Sequence, residues 1–243
     1  MKTGLKKRVR HLLGRAVHDW SMISEKDRIL VGISGGVDSQ TLLTLLGSLQ
    51  KRSPVKFDLL PVFLDPGFEP SPAPRLEQYV KEHFGAMVTE YTDYGTLAHS
   101  EENRENPCFL CSRLRRKRLF EIARDSGCKK IALGHNKDDI IETLFINMFY
   151  AGKIGTMKPR QSFFKGRLDI IRPLSYVDKE DIVTFSRMFQ IPKFGNPCPS
   201  SKNTKRGEVR NMLETMYKQN KHIKGNIFRS MGNVAHDYLL GNE

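Results

Sequence analysis

The chain has 243 residues, with 40 Lys and Arg against 27 Asp and Glu, a formal net charge of +13 and a pI near 9.7. That length predicts one or two domains with a buried core, and 39% hydrophobic residues with 19 Gly and 12 Pro exclude a disordered or collagen-like chain. The cation excess points to an anionic partner.

The longest apolar runs, such as Ile29–Ile33, fall far short of the roughly 18 residues that a membrane span needs. The basic start (Met1, Lys2, Lys6, Lys7) has no apolar signal region behind it, so a cytoplasmic location without membrane contact is expected. Four Cys are too few for a disulfide framework in a chain of this length. In a reducing compartment, closely spaced Cys hold metal or do chemistry.

In chain order, Leu5, Val9, Leu12, Leu13, Ala16, Val17 and Trp20 recur at helical spacing, while Lys6, Lys7, Arg8, Arg10 and Arg15 take other faces. This predicts an amphipathic basic helix that is either packed with a solvated charged face or turned towards RNA. Arg28–Ile33 reads as a buried strand stopped by Ser34-Gly35-Gly36-Val37-Asp38-Ser39. A helical pattern over Thr41–Lys51 follows, then a strand at Phe57–Leu64, a helix at Arg75–Phe84, a strand at Met87–Tyr91, a helix at Leu114–Asp125 and a strand at Lys130–Leu133. Beyond them come a helix from Asp138 to Tyr150, a Gly- and Lys-rich loop, a fifth strand at Leu168–Ile171 and a helix capped by Asp178 and running to Phe189. The basic tail carries two weaker helical patterns, Glu208–Gln219 and Ile227–Leu239. Strands alternating with helices predict an α/β fold, a parallel sheet flanked by helices on both sides. The divisions expected are a basic helix over 1–26, a central α/β domain over 27–190 and a C-terminal extension over 191–243.

The turn after the first strand carries paired glycines between two hydroxyls at the positive end of a helix, which suits a phosphate. It lacks the spacing and the Lys of the G-x-x-x-x-G-K-[ST] loop, so a kinase-like grip is not indicated. Gly134-His135-Asn136-Lys137-Asp138-Asp139 ends the fourth strand and should face the same crevice, beyond the carboxyl ends of the strands. There Asp138 or Asp139 can position Mg²⁺ or a nucleotide, or cap the following helix. Cys108-Phe109-Leu110-Cys111 fits zinc, an iron-sulfur cluster or a dithiol redox centre equally well. Cys198 stands in a Pro-bounded loop, whereas Cys128, at a helix end before a strand, reads as a buried small residue. Three Cys without an obvious fourth leave one coordination position open, which favours a catalytic centre over a closed structural site. The run Arg113, Arg115, Arg116, Lys117 and Arg118 concentrates charge that RNA phosphates or an ATP tail would neutralise.

Ser-Gly-Gly-x-Asp-Ser directly after a strand is the signature of the PP-loop pyrophosphatases. The stretches Val31–Ser39, Cys108–Arg116, Lys130–Tyr150, Ile171–Ile182 and Pro197–Leu213, in this order, make nearly the whole chain resemble the tRNA 2-thiocytidine synthetase (TtcA) family of PP-loop proteins. The resemblance implies an adenine nucleotide alpha hydrolase-like fold and a thiolation enzyme, in which ATP adenylates the C2 oxygen of an anticodon-loop cytidine, at tRNA position 32, and sulfide displaces AMP. It also implies a 4Fe-4S cluster on Cys108, Cys111 and Cys198, with the fourth iron carrying the sulfur. Ile33, Ser34, Gly35, Gly36, Val37, Asp38, Ser39 and Gly134 would bind ATP, and Asp38 with Asp138 or Asp139 would position Mg²⁺. Arg115 would neutralise charge as the oxygen is adenylated and AMP departs. Implied partners are tRNA and a sulfur donor, a cysteine desulfurase or free sulfide, with dimerisation a family expectation. Departures from the family pattern are Val37 where Lys is usual, Ser201 where a further Cys is frequent, and a short or divergent stretch over Asp93–Asn106.

Rival readings are a PP-loop enzyme joining an amine to an RNA base, as in lysidine synthetases, which leaves the cysteines idle, and persulfide thiolation without iron through Cys111 or Cys198. A non-catalytic RNA-binding module with structural zinc would ignore the phosphate loop.

Overall fold

Strand β1 (Asp27–Ile33) is the spine of a six-stranded sheet, because its alternating side chains feed two cores at once. Ile29, Val31 and Ile33 point into one hydrophobic cluster and Leu30 into another, as the period of two in a strand requires. In the computed structural model, which describes residues 2–195, 197–201 and 204–240, β1 pairs in parallel with β2 (Phe57–Asp65) and β4 (Lys130–Ala132). Strand β3 (Val88–Tyr91) adds to β2, and β6 (Leu168–Ile171) adds to β4, both in parallel. The sheet ends in β5 (Arg160–Phe163), antiparallel to β6, which gives the order β3-β2-β1-β4-β6-β5. The sheet is therefore mostly parallel, with one antiparallel edge strand lying between the expected Gly- and Lys-rich loop and the expected fifth strand. Its sequence RQSF has no apolar alternation, and its registry comes from the partner strand.

On one face lie α1 (Lys2–Asp19), α2 (Val37–Gln50), α3 (Ala73–Phe84) and α7 (Lys179–Met188), which contribute Val9, Leu13, Leu42, Leu46, Leu76, Ile182 and Phe185 to the larger core. Each such side chain contributes about 1.5–3 kcal/mol on full burial. The opposite face is covered by α5 (Pro107–Asp125), through Ile122 and Ala123 with Leu30, Val62, Leu64, Ile131 and the 3% exposed Cys128. A third cluster joins α6 (Lys137–Ala151) to α8 (Lys205–Gln219) and α9 (Ile223–Ser230) around Ile141, Val209 and Leu213. A short helix, α4 (Tyr94–Ala98), lies between β3 and α5.

Several boundaries differ from expectation for physical reasons. Helix α5 begins seven residues before Leu114, because Asn106 caps it, accepting from the amides of Cys108 at 3.0 Å and Phe109 at 3.3 Å, and Pro107 occupies its first turn. The expected helix over Ile227–Leu239 is α9 followed by a 3-10 turn at His236–Tyr238. Asp178 sits at the N-cap position of α7 without a side-chain cap, and Asp138 Oδ2 accepts from the Lys179 amide instead, at 2.8 Å.

The basic helix α1 is packed. Its cations reach neighbouring elements: Arg8 pairs with Asp181, Arg10 donates to Ser48 Oγ at 2.9 Å, and Lys6 and Arg15 lie over the rings of Phe189 and Tyr176. Among the described residues, no helix is long and apolar enough to cross a membrane.

Candidate active site

The strand-to-helix turn after β1 is built by two hydroxyls and a left-handed glycine. Ser39 Oγ accepts from the Ser34 amide at 3.1 Å and donates to the Gly36 carbonyl at 3.0 Å, which closes the loop. Gly35 has φ +73°, a conformation that favours glycine. Gly36 supplies no side-chain cap to α2, so the first amides of that helix remain available to an anion. From the neighbouring strand end, Gly134 approaches so closely that a Cβ there would stand 3.0 Å from the Ser39 nitrogen and 3.1 Å from the Asp38 carbonyl carbon. The two motifs read from the sequence thus meet at backbone contact.

Ser34, Asp38, Ser39, Gly134, His135 and Asp139 share a cavity of about 370 Å³ with Arg115 and Arg116 of α5. Asp38 forms an ion pair with Lys179 Nζ at 2.6 Å and accepts from Asn136 Nδ2 at 3.3 Å. Asp139 completes a capping box with Asn136, accepting from its amide at 3.0 Å, while Arg206 stands 3.4 Å from its other oxygen. Burial raises the Asp139 carboxyl above the usual range, with Asp38 and Glu142 adding to the shift and the Asn136 amide and Arg206 opposing it. Asp138 turns towards a smaller cavity of about 180 Å³, where Lys224 pairs with it at 2.6 Å. Of the two expected aspartates, Asp139 alone lines the cavity of the phosphate loop, and it doubles as a helix-capping residue.

The cysteines Cys108, Cys111 and Cys198 come together across α5 and the loop before α8. Burial pushes the thiols of Cys108 and Cys111 up, and Cys198 is near enough to raise both further, whereas Arg115 draws Cys111 down. Mutual repulsion of this kind is relieved by a thiophilic metal, which binds thiolates. Among the described residues, no group of three or more His, Cys, Asp or Glu is arranged for one ion. Three cysteines close enough to act on one another match an iron-sulfur cluster in donor type. The loop of Cys198 is anchored by Ser200, whose Oγ lies 2.7 Å from His99 Nε2. Cys128 lies apart, in the core beneath α5.

The basic run on α5 divides by partner. Arg118 is held by Glu90 at 2.6 Å and Glu121 at 2.8 Å, and Arg113 by Glu105 at 2.8 Å. These two are neutralised within the protein and need no external anion, contrary to the reading of the run as one anion-binding block. Lys179 and Arg206 are the site neighbours that sequence reasoning missed. Lys179 meets Asp38 across 141 positions, and no local pattern signals such a pairing.

The PP-loop domain family matches residues 1–217. The tRNA-cytidine(32) 2-sulfurtransferase of Geotalea uraniireducens is 37% identical over 236 residues, covering 96% of this chain and 94% of that protein. The tRNA-cytidine(32) 2-sulfurtransferase of Alcanivorax borkumensis is 41% identical over 240 residues, covering 97% and 84%. Among solved structures, the U34-tRNA thiolase NcsA from Methanococcus maripaludis, with its 4Fe-4S cluster, superposes with a TM-score of 0.81 at 21% identity, covering 100% of this chain and 82% of that one, and so shares the fold. The sheet, the strand-to-helix serine-glycine loop and these matches together place the chain in the PP-loop family, as a transferase of the tRNA-cytidine(32) 2-sulfurtransferase group.

Proposed function

We propose that the protein is an ATP-dependent, iron-sulfur-dependent tRNA thiolase acting at C2 of cytidine 32. The observation that carries this reading is the placement of Arg115: it lines the cavity of Ser34 and Ser39 and, one helical turn after Cys111, also acts on that thiol. A nucleotide in the cavity therefore lies beside the cysteine trio.

In this reading the amides of Val37–Ser39 and the Ser34 and Ser39 hydroxyls hold the β- and γ-phosphates of ATP. The cytidine O2 attacks the α-phosphorus, the new O–P bond forms, and the bond to the β-phosphate oxygen breaks with its electron pair leaving on pyrophosphate. Asp38 and Asp139 face the same space and would hold Mg²⁺ there once Lys179 releases Asp38. That ion pair is partly exposed and is worth at most about 1 kcal/mol, so release is cheap. Arg115 balances the negative charge as sulfide adds at C2, the C2–O bond breaks and AMP departs. Cys108, Cys111 and Cys198 would hold a 4Fe-4S cluster, which would supply a binding position for the transferred sulfur.

The test is purification without oxygen, followed by metal analysis and assay of tRNA thiolation with ATP. The expected protein is brown, with about four irons per chain. Cys108→Ala, Cys111→Ala and Cys198→Ala each lose colour and thiolation, and Cys128→Ala keeps both. A colourless protein that still thiolates tRNA would favour a persulfide route.

A further inference from the structure

Arg115, Arg116 and His135 line the larger cavity, and Arg172, which is not part of its lining, stands close enough behind them to act on His135 and Arg116. Arg172, directly after β6, is 5% exposed, and its Nη1 donates to the Lys158 carbonyl at 2.6 Å while its Nε is buried with no partner. The buried Nε of Arg115 and the buried Nδ1 of His135 likewise lack partners. None of Arg115, Arg116 and Arg172 is ion-paired to a carboxylate among the described residues. The two acids on the cavity are engaged elsewhere, Asp38 with Lys179 and Asp139 with the Asn136 amide and Arg206. Unmade hydrogen bonds and guanidinium charge gathered at one place cost free energy that a bound anion recovers.

We propose that Arg116 and His135, backed by the buried Arg172, form a second phosphate subsite, which holds the phosphate that stays on adenosine while the loop Ser34–Ser39 takes the pyrophosphate. This rests on the nucleotide reading above and adds to it a division of labour across the P–O bond that breaks. His135 suits the role because it is held neutral: burial, Arg172, Arg206 and Arg116 push it down to about 3, so it keeps one N–H to donate to a phosphate oxygen. Burial and Arg116 also lower Arg172, to about 10, which leaves it charged at neutral pH. Arg172 is a positioning residue, acting through His135 and Arg116.

The test is titration calorimetry of AMP, inorganic pyrophosphate, ATP and tRNA on the holoenzyme and on Arg172→Met and Arg116→Gln, with thermal melts of each free protein. Both variants are expected to weaken AMP about tenfold or more while pyrophosphate stays within about twofold. Free Arg172→Met melts no lower than the parent, since it loses an uncompensated buried charge, and Arg172→Lys restores part of the AMP affinity. Arg116 is exposed, so Arg116→Gln leaves folding intact and reports on the subsite even if Arg172→Met misfolds. AMP affinity unchanged in Arg116→Gln overturns the proposal. So does a loss confined to tRNA, which would assign these cations to an RNA phosphate. A parent protein that binds neither ATP nor pyrophosphate would instead overturn the nucleotide reading itself.

Discussion

At the scale of single residues, the phosphate loop shows how closely function and stability are interleaved. Ser39 is buried, and its Oγ accepts from Ser34 and donates to Gly36, so Ser39→Ala leaves a donor and an acceptor unpaired at a cost of about 1–3 kcal/mol. Asp38 has only weak partners, and Asp38→Ala is expected to abolish ATP-dependent activity with little change in melting temperature; pyrophosphate release with tRNA present checks both variants. Gly134→Ala places a methyl 3.0 Å from the Ser39 nitrogen, where backbone must yield, and should cost about 1–3 kcal/mol and weaken ATP. His135 gives a pH signature of defined sign. Its folded pKa of about 3 lies below its unfolded value near 6.5, so the unfolded chain takes up the proton first. Stability should fall as pH drops from about 6.5 towards 3, and His135→Gln should flatten that part of the profile in denaturant melts.

At the scale of elements, legibility follows how local the signal is. β1, its loop and α2 are readable because an apolar run, a glycine pair and a helix start follow one another without a gap. The start of α5 is not readable in that way: Pro107, Cys108, Phe109, Leu110 and Cys111 look like loop until Asn106 is seen to cap them. β5 is hidden because a polar edge strand is defined by its neighbour β6. The fold class was thus legible, whereas the pairing of Asp38 with Lys179 and the engagement of Asp138 by α9 depend on tertiary placement. The cap itself carries a prediction. Asn106→Ala should cost about 0.5–2 kcal/mol and fray the turn holding Cys108, lowering iron retained per chain on dilution, while Asn106→Asp keeps the acceptor and retains it. Equal iron in all three proteins would show that the metal, and not the cap, orders this turn.

At the scale of the whole molecule, a net charge of +13 does not translate into thirteen contacts for an anionic partner, because the fold consumes much of its own charge. Arg8, Arg113, Arg118 and Arg210 are bound to acids of the protein itself, and Lys6 and Arg15 cover aromatic rings. Cations that stay exposed and have no acid partner among the described residues, such as Arg104 and Lys117 on either side of the cysteine-bearing turn, are the ones able to release counterions from RNA. tRNA affinity should therefore fall steeply with salt, and Lys117→Ala and Arg104→Ala should each lower the slope of log K against log salt by about 1. Arg118→Ala removes the same formal charge but breaks the links to Glu90 and Glu121, so its effect should appear in the melting temperature and leave the salt slope unchanged. Filter binding of tRNA from low to physiological salt separates the two classes: slopes that change equally for Lys117 and Arg118 would mean that net charge, and not its placement, governs binding.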